Sequence, residues 1–196
     1  MRVAITGSHG VGKTTLVSSL HTHFWTSPFS RPQPLFRVQL EEAVRSVARD
    51  MELETLSDIF TWPKYKIEYF QWLSAMRQVV EETRVPSFIS DRSIVDYIAY
   101  TIYYGCSYTM VEALMDFAEQ HIETYDILFY APVPVEFDYS LTREDGFRLT
   151  DDKSVRQIDE LINNLLQQNY PHVALPEERN LWFDFCCKEI EKEREY

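Results

Sequence analysis

The chain has 196 residues, of which 45% are hydrophobic and 26% charged, and it carries a net charge of −12. That is long and apolar enough for a folded core and too apolar for disorder, and the surplus of acid repels nucleic acid and anionic membrane, so any phosphate site has to be built locally. Three cysteines, Cys106, Cys186 and Cys187, have no zinc spacing, and the adjacent pair cannot easily bridge to itself. This points to a reducing, cytoplasmic setting. No signal peptide precedes Arg2–Thr6, and no apolar run is fit to span a membrane.

Arg2-Val-Ala-Ile-Thr6 reads as a short buried strand. It runs into Gly7-Ser-His-Gly-Val-Gly-Lys-Thr-Thr15, after which Leu16 to Leu20 keep helical spacing. The stretch 25–34 carries Pro28, Pro32 and Pro34 and reads as loop; a strand is expected near 36–40 and a charged helix from Glu41. Across 57–83, Ile67, Phe70, Leu73, Met76 and Val80 recur at helical steps, and Pro63 offers a later start for that helix. Pro86 breaks it, 87–90 forms a strand, and Ser93 caps a helix ending at Gly105. A helix over 108–123 and a strand over 126–131, closed by Pro132 and Pro134, come next. A polar loop (136–152), a helix (154–169), a brief strand (172–175) and a helix from Glu177 complete the chain. Strands alternating with helices predict a three-layer α/β/α fold with a mostly parallel five-stranded sheet and ligands at the carboxyl ends of its strands. Nothing divides the chain, so 1–196 reads as one domain.

Of the chain's five glycines, three fall at Gly7, Gly10 and Gly12, and Gly7-x-x-x-x-Gly12-Lys13-Thr14 matches a phosphate-binding loop in full, after a strand and before a helix. Glycines let the backbone curl so that successive N–H groups point inward, and the helix N-terminus adds partial positive charge. The run Gly7, His9, Gly10, Val11, Gly12, Lys13, Thr14 and Thr15 is thus expected to cradle ATP. Lys13 would reach the β and γ phosphates, and the Thr14 hydroxyl would hold Mg²⁺. His9 reads as a tolerated variable position in the loop. The loop specifies a nucleoside triphosphate, not a reaction. An Asn-Lys-x-Asp base reader and a Leu-Ser-Gly-Gly signature are absent, and the apolar strand 126–131 ends in prolines rather than Asp-Glu. A small kinase or a stand-alone NTPase remains.

A second constellation is Asp91-Arg92-Ser93, at the carboxyl end of a strand. Asp91 can anchor Mg²⁺ or take a proton from a hydroxyl; Arg92 can clamp a phosphate or stabilise a phosphoryl group in transfer. The bland alternative is an ion pair ahead of a helix. Ser93-x-x-Asp96 has capping-box spacing, so Asp96 is either a cap or part of the site. Glu41 and Glu42 follow a strand and supply either a general base or acids suited to a helix start.

The phosphate loop together with Asp91-Arg92-x-x-x-Asp96-x-x-Ala99-Tyr100, Tyr125-Asp126-Ile-Leu-Phe-Tyr130 and Asp145-Gly146-Phe147-Arg148 resembles the nucleoside and nucleotide kinase superfamily. The resemblance is to the branch of nicotinamide riboside kinase domains and small P-loop AAA domains, and it runs from residue 1 to about 168. It implies a P-loop kinase fold with a helical lid over about 136–156, which would close on ATP and exclude water. Glu42-Ala-Val-Arg45 fits the branch's early Glu-x-x-Arg element. Within the lid, Arg148, ahead of Arg143, would stabilise the transferred phosphoryl group and Arg143 would help bind ATP; a solvated charged loop is the alternative. Trp62, Tyr65, Tyr69 and Trp72 share a helical face, for core packing or for stacking on a base.

The expected function is ATP- and Mg²⁺-dependent phosphoryl transfer to a nucleoside, nucleotide or nucleoside-like small molecule. Lys13, Asp91, Arg92, Arg148 and Glu42 are the catalytic set, and Thr14 and Asp91 the metal-binding pair. A kinase acting on a hydroxymethylated base in DNA and an ATP-binding regulatory module are the rivals; the acidic balance counts against the first. No membrane partner is expected, and a homodimer stays open.

Overall fold

The protein is described here by a computed structural model covering residues 1–26, 34–53, 55, 59–134 and 151–194. In chain order its elements are β1 (Arg2–Thr6), α1 (Lys13–Thr26), β2 (Val38–Leu40), α2 (Ala43–Asp50), α3 (Lys64–Thr83), β3 (Phe88–Asp91), α4 (Ile94–Tyr103), α5 (Tyr108–Ile122), β4 (Ile127–Tyr130), α6 (Asp152–Asn169), β5 (Val173–Ala174) and α7 (Trp182–Glu193). The strands form one sheet in the order β2-β3-β1-β4-β5, and every pairing is parallel.

β1 is the central strand, and Val3, Ala4, Ile5 and Thr6 are all fully buried, as a parallel strand covered on both faces requires. Alternation along it sorts the core. Val3 and Ile5 face α1 and α7 in a cluster with Val17, Leu20, Phe129, Trp182 and Ile190. Ala4 faces the opposite layer, with Ile94, Ile98, Leu114, Leu128, Ile158 and Ile162 from α4, α5, β4 and α6. A smaller cluster of Val47, Ala48, Ile59, Ile67 and Phe70 joins α2 to α3. The chain leaves β1 toward the β2 edge and returns on the other side through β4, so the strand order reverses at β1. The loop after β1 therefore occupies the crevice where open α/β sheets bind ligands.

Several expectations need adjusting. α1 runs through Trp25 into Thr26, so the proline-rich loop starts later than 25; residues 27–33 lie outside the described set. α3 begins just after Pro63, preceded by a single 3₁₀ turn (Ile59–Thr61). Its buried face is not the apolar series alone: Val80 is 45% exposed, whereas Gln71, Ser74, Gln78 and Glu82 are buried. The aromatic face is divided: Tyr65 and Tyr69 are exposed, whereas Trp72 packs against the core cluster of α4 and α6 and Trp62 packs edge-on against Phe70 and under Lys66. The last helix starts at Trp182, after a 3₁₀ turn (Arg179–Leu181) that the Trp182 indole pins by donating to the Pro176 carbonyl at 2.7 Å. All three cysteines are free. Among the described residues no helix is long and apolar enough to cross a membrane.

Candidate active site

The loop after β1 has the backbone its glycines demand. Gly7, Gly10 and Gly12 have φ of 152°, 81° and 108°. A Cβ on Gly7 would strike the Ala131 carbonyl, so the loop's first turn is pressed against the end of β4. Lys13 folds back over the loop, its Nζ donating to the Gly7 and Ser8 carbonyls at 2.7 Å each. Burial, with the Arg92 charge nearby, pushes the Lys13 ammonium below its ordinary pKa, against the pull of Asp91, Asp96 and Glu42. Val11 is buried among the core residues beneath the loop, while Thr14 and Thr15 are exposed on the first turn of α1.

β3 runs beside β1, with Ile5 paired to Asp91, and this register delivers the Asp-Arg pair to the loop. The Thr14 hydroxyl donates to Asp91 Oδ2 at 2.5 Å. Asp91 is 5% exposed, and burial raises its carboxyl above the usual carboxylate range, helped by Glu42 and opposed by Lys13. Arg92 has φ of 90°, a conformation that costs a non-glycine residue about 1–3 kcal/mol and persists only where neighbours enforce it. Its amide donates to the Ile5 carbonyl at 3.0 Å. The turn throws the guanidinium back: Nε donates to Glu42 Oε1 at 2.7 Å, Nη1 to Asp96 Oδ1 at 3.3 Å, and the group lies 5.0 Å from the Tyr100 ring centroid. The pair is therefore no surface ion pair, since Arg92 is 6% exposed.

Glu42, just ahead of α2, is partly buried while Glu41 is exposed, which separates the two glutamates that the sequence leaves level. Burial by itself would push the Glu42 carboxyl up; Arg92, Lys13 and Arg45 override it and hold the group below its ordinary range. Asp96, fully buried, fills both of its alternatives at once. It accepts from the Ser93 amide at 2.9 Å as the second half of a capping box, and it also takes the Thr6 hydroxyl at 2.5 Å and the Gly7 amide at 3.3 Å. One carboxylate thus joins the start of α4, the phosphate loop and Arg92.

Arg143, Gly146 and Arg148 lie outside the described residues, as does most of the expected lid. The segment's flanks are described. Asp151 caps α6 by accepting from the Ser154 amide at 2.8 Å, and Ser154 meets the Tyr103 hydroxyl at 2.6 Å. On the other side, Asp159 Oδ1 accepts from the Tyr130 hydroxyl at 2.9 Å and the Val133 amide at 3.3 Å.

Further contacts around the phosphate loop join residues far apart in the sequence. His9 is 3% exposed and its Nδ1 lies 2.8 Å from the Tyr100 hydroxyl, linking the loop to the residue beneath Arg92. Arg179, in the turn after β5, places its guanidinium where a side chain on Gly12 would stand. Just beyond, Phe183 lines an open groove of about 810 Å³ with Thr14, Thr15, Ser18 and Thr22. Ser8 Oγ and Gln71 Oε1 are buried and find no hydrogen-bond partner among the described residues.

A family model described as an AAA domain matches residues 2–180. No curated protein matches the sequence. Solved structures with the same fold include the deoxyadenosine kinase from M. mycoides with bound dATP, at 13% identity and TM-score 0.59, covering 97% of this chain and 99% of that one. The thymidylate kinase from Ehrlichia chaffeensis is 17% identical, with TM-score 0.57 and coverage of 98% and 97%. The NadR protein in complex with NR is 18% identical, with TM-score 0.59; the match covers 97% of this chain but 50% of that one. At such identities the likeness is one of fold, and that fold is the P-loop kinase architecture that the strand order and phosphate loop lead one to expect.

Proposed function

The chain belongs to the AAA-domain family, and from that footing we propose that it is an ATP- and Mg²⁺-dependent kinase. It transfers the γ-phosphoryl group to a nucleoside, nucleotide or nucleoside-like small molecule, through a hydroxyl of a nucleoside or a phosphate oxygen of a nucleotide. The observation that carries this reading is the part-buried Glu42–Arg92 pair, 2.7 Å apart, which Asp96 ties to the phosphate loop: a carboxylate to orient an acceptor stands beside a guanidinium for the transferring group. The names of the fold neighbours, a deoxyadenosine kinase and a thymidylate kinase, support the same class.

The loop amides and Lys13 hold the phosphates, and Thr15 adds its amide and hydroxyl at the α-phosphate end. Arg179 and the groove beside Phe183 take the nucleoside end of ATP. The donor set at Thr14 and Asp91 fits Mg²⁺ in kind: a hydroxyl and a carboxylate, both hard oxygens, held together by their own hydrogen bond, with remaining positions for phosphate and water, as that ion prefers. When bound there, it would neutralise charge on the β and γ phosphates.

On the acceptor side, Arg92 stabilises the charge spread over the transferring group, and Arg148 with Arg143 completes that field from the segment ahead of α6. Glu42 orients the acceptor hydroxyl. As the bond from the γ phosphorus to the ADP oxygen breaks and the acceptor O–P bond forms, the hydroxyl proton passes to Glu42 and then to solvent. A carboxylate held low by Arg92 is a weak base, but phosphoryl transfer depends on positioning more than on basicity.

The test is an assay with radiolabelled ATP and Mg²⁺ against nucleosides, nucleoside monophosphates, nicotinamide riboside and DNA bearing hydroxymethylated bases. Label in a small-molecule product is the expected result. Hydrolysis without transfer across the whole panel would leave a nucleotide-binding NTPase instead.

A further inference from the structure

A left-handed turn such as that of Arg92 persists only where neighbours enforce it, and besides Ile5, Glu42 and Asp96 a group on α3 reaches it. Gln78 is 1% exposed and reaches the residues on both sides of Asp91: its Nε2 donates to Ser90 Oγ at 2.5 Å, and the Arg92 carbonyl lies within 3.4 Å of the same nitrogen. The amide is itself held at both ends. Nε2 also donates to Glu82 Oε1 at 2.6 Å, and Oε1 accepts from the Tyr97 hydroxyl at 3.2 Å. Glu82, fully buried, receives the Tyr125 hydroxyl at 2.9 Å on its other oxygen, which also lies 2.6 Å from His121 Nε2. A chain of buried polar side chains therefore runs from α5 through α3 to the strand end that carries Asp91 and Arg92. Polar groups on a helix face that could pack apolar residues are costly unless fully paired, and the phosphate site has no direct use for these.

We infer that Gln78 is a positioning residue, a clamp on Ser90 and on the Arg92 carbonyl that fixes the turn delivering the Arg92 guanidinium to Glu42 and Asp96. Without it the turn relaxes toward negative φ, and the guanidinium loses its aim. The positional part stands on geometry alone; its kinetic consequence rests on the proposed kinase activity.

Gln78→Leu keeps the size and removes the clamp. Tyr97→Phe, a milder change, removes one hold on the Gln78 amide. The first readout needs no activity: nitrogen-15 NMR follows exchange of the Arg92 Nε–H, which its bond to Glu42 slows. Gln78→Leu should speed that exchange about tenfold and Tyr97→Phe about threefold, the size expected when one hydrogen bond is lost or loosened. Unchanged exchange in Gln78→Leu overturns the clamp, and if that variant does not fold, unchanged exchange in Tyr97→Phe overturns it.

The second readout is a double-mutant cycle on phosphoryl transfer. Gln78→Leu should lower kcat about tenfold with the KM for ATP unchanged, and should do nothing further in an Arg92→Ala background. A general packing role would lower both backgrounds equally, and that result also overturns the inference. If the wild type transfers phosphate to no acceptor, the kinase reading fails, and the exchange measurement still decides the clamp.

Discussion

The hydroxyl of Thr14 donates to Oδ2 of Asp91 at 2.5 Å, across 77 positions of sequence. This bond fastens the first turn of α1 to the carboxyl end of β3, tying the phosphate loop to the Asp-Arg turn. Asp96 makes a second tie a few residues on, through Thr6, Gly7 and Arg92. A site with two such crosslinks is pre-organised before any ligand arrives, which is what electrostatic stabilisation of a transferring group requires.

Replacing Lys13 by Ala removes the ammonium that lies over the Gly7 and Ser8 carbonyls. Turnover should fall by at least about 10²–10³, the usual loss for one charged or donor group aimed at the transition state. Circular dichroism should show the fold intact. Near-normal turnover in this variant would remove Lys13 from the phosphate site.

The two carboxylates differ in the sign of their linkage. Asp91 is raised by burial, so its contribution to stability is full below the unfolded carboxylate range and is lost as pH rises through its folded pKa. The ligand-free Asp91→Asn protein should therefore equal or exceed the wild type in denaturant stability at pH 8 while losing turnover, and the gap should close in acid. Glu42 is held low, against its burial, mainly by Arg92, so its contribution is present above the unfolded range and is lost as pH falls through the folded value. Glu42→Gln should be destabilised at pH 8 and less so in acid. Urea titrations of both variants across this pH range would expose a reversed order.

Two loop glycines should differ in cost although both have positive φ. A methyl group on Gly7 meets the backbone carbonyl of Ala131, which cannot swing aside, whereas on Gly12 it meets the end of the flexible Arg179 side chain. Gly7→Ala should lose about 3 kcal/mol or more, strain and overpacking together, and Gly12→Ala about 1 kcal/mol from strain. Equal losses by chemical denaturation would show that Ala131 does not brace the loop.

Arg179→Ala should raise the KM for ATP several-fold and leave kcat nearly unchanged, the mark of binding energy spent equally on ground and transition states. A drop in kcat at constant KM would assign Arg179 to the chemistry instead.

Local features of this molecule are legible in its sequence because they are contiguous. Gly7 to Thr14 declare the phosphate loop, Ser93 and Asp96 declare a capped helix, and the alternation of strands with helices declares the parallel sheet. What the sequence hides is which distant residues share a site. Asp96 looks like a cap or a ligand contact and is both a cap and a crosslink, because the helix it caps starts beside Gly7. His9 gives no hint of Tyr100, which lies 91 residues away, and Arg179 reaches Gly12 only once α7 has packed on α1. A signal did exist on α3: Gln71, Ser74, Gln78 and Glu82 recur at helical spacing among apolar neighbours. A polar stripe on a buried face has to be paired or be in use.

The most direct test of the central claim follows the γ-phosphoryl group of ATP by phosphorus-31 NMR, with Mg²⁺ and the best acceptor from the panel. A kinase built on Lys13, Asp91, Arg92 and Glu42 delivers the group to a phosphate ester or, with a nucleotide acceptor, a phosphoanhydride in step with ADP, and Glu42→Gln slows product formation without releasing orthophosphate in its place. Orthophosphate as the sole product, formed at the same rate with and without acceptor, would contradict it.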